Sequence, residues 1–215
     1  SEVYKSQWRY FATVGRELHV PLGPLYVTSA LREAGFEVDF RDYQMNDAEE
    51  LFSADEIVRY LADPAPVVGF SCMANLLPFT LLAMRRFKRA YPDRTLVLAG
   101  VGPKSVEGEI LQRFDWVDLI VRGESETLAP QLMAALTSDG DLSGVPGISY
   151  RDGGAIRHNP RPARIRGLDD ITPPAFDEVD LPRYTGFGMI SSRGCPYPCT
   201  FCSVAPVWDL KAYHR

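Results

Sequence analysis

A sequence of 215 residues with 46% apolar content has room for a full core, and much of what it could encode is ruled out by what it lacks. No apolar run approaches the length a helix needs to cross a bilayer, and no basic-then-apolar leader opens the chain. Peripheral membrane contact stays open. An excess of positive charge is missing: 23 Lys and Arg stand against 28 Asp and Glu, for a net charge of -5. Bulk nucleic-acid binding is therefore not expected, although a local basic patch stays open. Histidine is scarce, and His19, His158 and His214 form no pair at metal-binding spacing. No G-x-S-x-G elbow supports a serine hydrolase, and no G-x-G-x-x-G run after a first strand supports nicotinamide binding. Internal repeats and low-complexity tracts are absent as well. Cysteine is scarce but concentrated: three of the four, Cys195, Cys199 and Cys202, fall within eight residues. A secreted disulfide scaffold spreads its cysteines over the fold. This spacing reads instead as metal ligation in a reducing, cytoplasmic compartment.

The remaining residues alternate between two periods. Pro21 to Ala34 reads as a helix with an irregular start, ended by Gly35, and Phe36 to Phe40 alternates apolar and polar like a strand. Residues 53–61 read as a short helix, with Ser53 and Glu56 as a capping box. Pro66 to Phe70, Thr95 to Ala99 and Val117 to Val121 are short apolar runs of the kind buried on both faces of a sheet. Between and after them come helical patterns at Leu76 to Ala90, Ser105 to Phe114 and Glu124 to Leu136. Short apolar strands alternating with helices predict an α/β fold with an open, mostly parallel, Rossmann-like sheet. Ligands in such folds sit at the carboxyl ends of the strands, here the loops after Phe70, Ala99 and Val121. The opening strand is either Trp8 to Val14 or a segment upstream of Ser1. Cys72, just past a buried strand, reads as a small core hydrophobe.

After residue 140 the pattern changes. Ile148 to Tyr150 and Ala155 to Arg157 flank Asp152-Gly153-Gly154 as a β-hairpin. A segment rich in Pro and Arg follows and reads as a solvated connector, or else as a contact for a phosphate or a following domain. Phe187 to Ser191 then reads as a fresh strand leading into "SSRGCPYPCTFCSV". Three soft thiolates at C-x3-C-x2-C spacing suit one face of a cubic iron-sulfur cluster and leave its fourth iron open to a substrate or cosubstrate. Pro196, Tyr197, Pro198 and Phe201 would stiffen and shield that loop. The competing readings are a structural zinc, for which His214 is a poor fourth ligand, and three unpaired structural cysteines.

"CPYPCTFC" resembles the cluster motif of radical S-adenosylmethionine (SAM) enzymes. "VPLGPLYVTSALREAGFEVDFRD", "PVVGFSCM", "TLVLAGVGP" and "VDLIVRGESETLAPQLMAAL" resemble the cobalamin-binding domain that precedes the radical SAM domain in one large class. The resemblance implies a cobalamin-binding-like α/β domain over residues 1–140, a hairpin and Pro/Arg-rich linker over 141–184, and the beginning of a partial (β/α) barrel over 185–215. Only 13 residues follow Cys202, so the chain is expected to be the N-terminal portion of a longer enzyme. The Asp-x-His-x-x-Gly loop of free-standing cobalamin domains is missing, which argues against histidine ligation of cobalt.

The resemblance further implies three cofactors: a [4Fe-4S] cluster on Cys195, Cys199 and Cys202, SAM on its open iron, and cobalamin. Pro21, Leu22 and Gly23 would lie under the corrin, where by pattern alone they start a helix. Ser71 would bond the corrinoid nucleotide or cap its strand, and Gly100, Gly102 and Pro103 would let backbone approach the cofactor or simply form a turn. Gly123 and Glu124 stand at the third strand end, where by pattern alone Glu124 is better suited to cap the next helix. The implied activity is radical methylation of an unactivated carbon through a 5'-deoxyadenosyl radical and methylcobalamin. Ring closure or rearrangement by the same two domains, and a non-catalytic iron-sulfur or corrinoid module, are the alternatives. The implied partners are a small-molecule, lipid, peptide or tetrapyrrole substrate and an electron donor such as flavodoxin or ferredoxin.

Overall fold

The computed structural model describes residues 17–138, 140–202, 208 and 210–215. Trp8 to Val14 lies outside them. The first described helix, α1 (Leu22–Glu33), buries Leu25, Tyr26, Thr28 and Ser29. It stops at Gly35, which takes φ +86°. The Gly35 N–H donates to Arg32 O at 2.9 Å and the Phe36 N–H to Leu31 O at 3.0 Å. This paired closure satisfies two terminal carbonyls and needs a residue that tolerates the left-handed region. Phe36 to Phe40 keeps its alternation, with the apolar residues half-buried and Glu37 and Asp39 exposed. It forms no ladder with any described residue, so the expected strand is not found there. Alternation specifies a face, whereas a strand also needs a paired edge.

Helix α2 (Ala54–Tyr60) starts after Ser53, but the Ser53 side chain makes no capping bond. Glu56 turns instead to Arg59 Nε, at 2.9 Å, and to Asn46. The expected capping box is therefore replaced by an ion pair one turn on. Strand β1 (Val67–Ser71), α3 (Leu77–Ala90), β2 (Thr95–Ala99), α4 (Glu107–Arg113), β3 (Leu119–Val121) and α5 (Ser125–Thr137) then alternate. β1, β2 and β3 pair in parallel and in chain order. Stepping in one direction puts α3 and α4 on the same face. There Phe70, Leu96, Leu98 and Ile120 pack against Phe79, Met84, Phe87, Ile110 and Leu111, with α2 contributing Ile57. On the opposite face Val97, Leu119 and Val121 pack against Leu128 and Leu132 of α5, and α1 lies beside α5.

Two features depart from the sequence reading. β1 is buried on one face only: Phe70 is covered, whereas Gly69 and Ser71 are exposed. The sheet also continues past residue 140. The hairpin β4 (Ile148–Asp152) and β5 (Ala155–His158) adds antiparallel to β3, with Val121 opposite Ile148, and completes a five-stranded sheet. Arg151 on β4 reaches across to the end of α4, donating to Val117 O at 2.6 Å, to Phe114 O at 2.8 Å and to Leu111 O.

The Pro/Arg-rich segment packs through its apolar residues, while Arg161, Arg166 and Pro173 stay exposed as a solvated connector would have them. Leu168 and Ile171 bury against Tyr26 of α1, with Ile165 and Leu22 beside them. The Ala175 N–H donates to Leu25 O at 3.2 Å, and Arg32 pairs with Asp177 and Glu178. Tyr184 donates to Asp42 Oδ2 at 2.7 Å. Residues 187–191 do not form the expected strand. Pairing starts at β6 (Ser192–Gly194), which runs antiparallel to β7 (Ala212–His214). The ladder begins where Arg193 is anchored by buried partners, while Phe187 and Met189 face solvent.

Candidate functional site

Register places the expected site residues along one edge. Ser71 pairs with Ala99 across β1 and β2, and Val97 and Leu98 pair with Leu119 and Ile120 across β2 and β3. Ser71, Gly100 and Gly123 therefore follow one another at the carboxyl ends of three parallel strands, all exposed. Pro21, Leu22 and Gly23 open α1 on the α1/α5 face, with Leu22 packed near Ile165, Tyr26 and Ile190.

The loops after β1 and β2 are welded together. The Cys72 N–H donates to Ala99 O at 3.1 Å, and the Gly102 N–H donates to Cys72 O at 2.9 Å. A Cβ on Gly100 would stand 2.6 Å from Cys72 O, and one on Gly102 would stand 2.6 Å from Cys72 Sγ. These glycines are thus required by Cys72, the neighbour that fills the space beside them. Pro103 is fully buried beneath the same loop. Cys72 sits in the core, as its position after a buried strand suggested, and burial pushes its thiol pKa up.

The conformity of this edge to a flat, extended ligand rests on Gly69. It is exposed on the α1/α5 face, and a Cβ there would meet nothing within 4 Å. Gly23 is equally open. Gly69 thus leaves a single gap between Val67 and Ser71 on that face of β1, next to Val97 and short of Ala99 on β2. The residues present therefore fit the tail of a cofactor such as cobalamin.

Glu124 is buried and does not cap α5 with its side chain. One carboxylate oxygen accepts from Arg193 Nη1 at 3.0 Å and the other from the Ile165 N–H at 2.8 Å. Arg193 also pairs with Glu126 and lies over the Tyr26 ring, 5.4 Å from its centre. Burial disfavours the Arg193 charge, but the two glutamates more than compensate and hold its pKa above the ordinary value. Nothing local in the sequence marks this residue, because its Glu124 partner stands 69 positions away.

The cysteine loop leaves β6 through Gly194. Cys195 and Cys202 are half-buried and Cys199 is exposed. The Cys202 N–H donates to Cys199 O at 3.1 Å, which tightens the last turn. His214 stands opposite Ser192 on β7, at the end of the ladder away from the loop, whose base is the pair Gly194 and Ala212. Tyr197 and Phe201, expected to shield the loop, point to solvent, with Phe201 91% exposed. The donor set of three soft thiols on one loop fits an iron-sulfur cluster by its chemistry. Among the described residues, however, no three His, Cys, Asp or Glu side chains are gathered to hold a metal ion.

Residues 9–133 match the B12 binding domain, and since this match spans more than half of the chain, the protein belongs to that family. Its fold is the mixed α/β, mostly parallel arrangement expected of such a domain. Among relatives, the chain is 29% identical over 193 residues to an uncharacterized methyltransferase of Pyrococcus horikoshii, covering 85% of this chain and 40% of that protein. It is 30% identical over 205 residues to the anaerobic magnesium-protoporphyrin IX monomethyl ester cyclase of Synechocystis sp., covering 91% of this chain and 40% of that one. It spans less than half of these relatives. Among solved structures, the radical S-adenosylmethionine methyltransferase TsrM of Kitasatospora setae superposes with a TM-score of 0.70 at 17% identity, over 92% of this chain and 41% of that one. Among the described residues, no helix is long and apolar enough to cross a membrane.

Proposed function

We propose that this chain carries the cobalamin-binding region and the cluster-bearing start of a cobalamin-dependent radical SAM enzyme, acting as a methyltransferase on an unactivated carbon. The observation that carries this reading is the adjacency of two elements: a B12 binding domain over residues 9–133 and a C-x3-C-x2-C loop whose leading strand is bound to that domain through Arg193 and Glu124. When bound, the cofactors would supply a 5'-deoxyadenosyl radical from SAM and a methyl group from cobalamin. The chain's own share is to hold and orient. Cys195, Cys199 and Cys202 would ligate the cluster. Gly69 and the exposed Ser71 and Gly100 would receive the cobalamin tail on the α1/α5 face. Arg193 and the packed linker would keep the two regions at one separation, as proximity catalysis requires.

An electron donor such as flavodoxin or ferredoxin and a small-molecule, lipid, peptide or tetrapyrrole substrate complete the proposal, in a reducing cytoplasmic setting. Ring closure is the second reading, favoured by the likeness to the magnesium-protoporphyrin cyclase at an identity matching that to the methyltransferase. The test is metal analysis of the anaerobically purified full-length protein. About one cobalt with about four irons and four sulfides per chain supports the reading. Iron and sulfide without cobalt, even after cobalamin is supplied, overturns the methylcobalamin chemistry. A product heavier by one methylene separates methylation from ring closure.

A further inference from the structure

We propose that Arg193 is a positioning residue that sets the separation between the cysteine loop and the cobalamin face of the sheet. The proposal rests on the function given above. The Arg193 side chain is 8% exposed and lies between two carboxylates that are equally buried, Glu124 before α5 and Glu126 in its first turn. The linkage is short: Cys195, Gly194 and Arg193 on one side of a single ion pair, Glu124 and Gly123 on the other. It therefore ties a cluster ligand to the carboxyl end of β3 with no flexible segment between. The Tyr26 ring at 5.4 Å adds α1 to the same clasp, and the Ile165 N–H occupies the second oxygen of Glu124.

A buried cation between two carboxylates is a poor device for stability alone, because desolvation offsets most of the attraction. What it adds is geometry. The guanidinium is a rigid planar fork, and its two ends are taken by carboxylates two residues apart on one helix start. Lysine, a single point charge on a flexible stem, keeps the charge and loses the fork. A second clasp fixes the far end of the linker: the Thr185 N–H donates to Leu18 O at 2.9 Å, and His19 bridges to Gly186. The linker thereby acts as a splint between the two regions.

The test uses the full-length enzyme with three variants: Arg193→Lys, Arg193→Gln, and Glu124→Gln/Glu126→Gln/Arg193→Gln, the last leaving no buried carboxylate unpaired. Cobalt and iron contents are measured first. Pulsed dipolar EPR between cob(II)alamin and the reduced cluster then reads their separation, and 5'-deoxyadenosine is counted against methylated product. The wild type is expected to give one narrow distance distribution. Arg193→Lys and the triple variant are expected to load both cofactors, to broaden or shift that distribution, and to lose about 100-fold in coupled product while SAM cleavage persists. A triple variant with the wild-type distribution and coupling ratio overturns the proposal. If the wild type takes up iron but no cobalt, the functional reading falls. The clasp is then judged by hydrogen exchange over residues 190–202, and unchanged exchange in the triple variant overturns it.

Discussion

Gly100 and Gly102 differ in what a methyl group would meet. At Gly100 it would strike the Cys72 carbonyl oxygen, on backbone with φ +93°. At Gly102 the nearest atom is the Cys72 sulfur, which belongs to a side chain. Gly100→Ala should therefore cost about 3 kcal/mol or more and should not be relieved by trimming Cys72. Gly102→Ala should cost about 1–3 kcal/mol, and combining it with Cys72→Ala should cost less than the sum of the two single changes. Denaturant melts of the three single variants and of each glycine variant combined with Cys72→Ala check this; additivity in the Gly102 pair would dissociate the glycine from the thiol. The cysteines should also separate chemically. Cys72 is buried with a raised pKa, whereas Cys199 is exposed. In the cluster-free protein iodoacetamide should label Cys199 rapidly and Cys72 only after unfolding, since the thiolate is the reactive form. Peptide mass mapping reads the order.

Helix α4 is short, with its closing side-chain contacts borrowed from β4. Arg151 satisfies Val117 O, Phe114 O and Leu111 O at and beyond its carboxyl end, where a cation also suits the helix dipole. Arg151→Met should strand these acceptors and cost about 2–4 kcal/mol, whereas Arg157→Ala, in an exposed pair with Asp152, should stay within about 0.5 kcal/mol. Equal losses in urea unfolding would show that Arg151 does not act as a cap. Helix α1 ends on its own sequence instead. Gly35→Ala meets no neighbour within 4 Å and should cost only about 1 kcal/mol for the left-handed backbone.

Among the described residues, one thiol proton and two phenol protons are held more tightly in the fold than in the open chain. Burial raises the pKa of Cys72, of Tyr60 and of Tyr184, and the bond to Asp42 adds to it at Tyr184. As pH rises above the ordinary values of 9.0 for the thiol and 10.0 for the phenols, the unfolded chain gives up its protons first. Unfolding then releases protons, and stability falls with increasing pH. It should be fully present below about pH 9 and decline beyond it. Thermal melts between neutral pH and pH 10.5 or so should show this slope, shallower in Tyr184→Phe. An equal slope in that variant would remove Tyr184 from the effect. Most of the parallel core was legible in the sequence, because its strands are short apolar runs and the helices between them carry a 3.6-residue period, although β1 proved to be buried on one face only. Phe36 to Phe40 shows the limit: its alternation is real, but no described strand pairs with it.

By itself the sequence determined the local chemistry: three soft thiols at C-x3-C-x2-C spacing, Gly35 as a helix stop, and the apolar strands β1, β2 and β3. Each depends on residues a few positions apart, so spacing is enough to read it. The tertiary structure alone decided that Gly100 and Gly102 serve Cys72, that the Pro/Arg segment packs on α1, and that Glu124 holds Arg193 rather than capping its helix. Those outcomes depend on which partners meet across tens of residues, and burial makes such meetings binding. An unpaired carboxylate or guanidinium in that interior would carry its full desolvation cost.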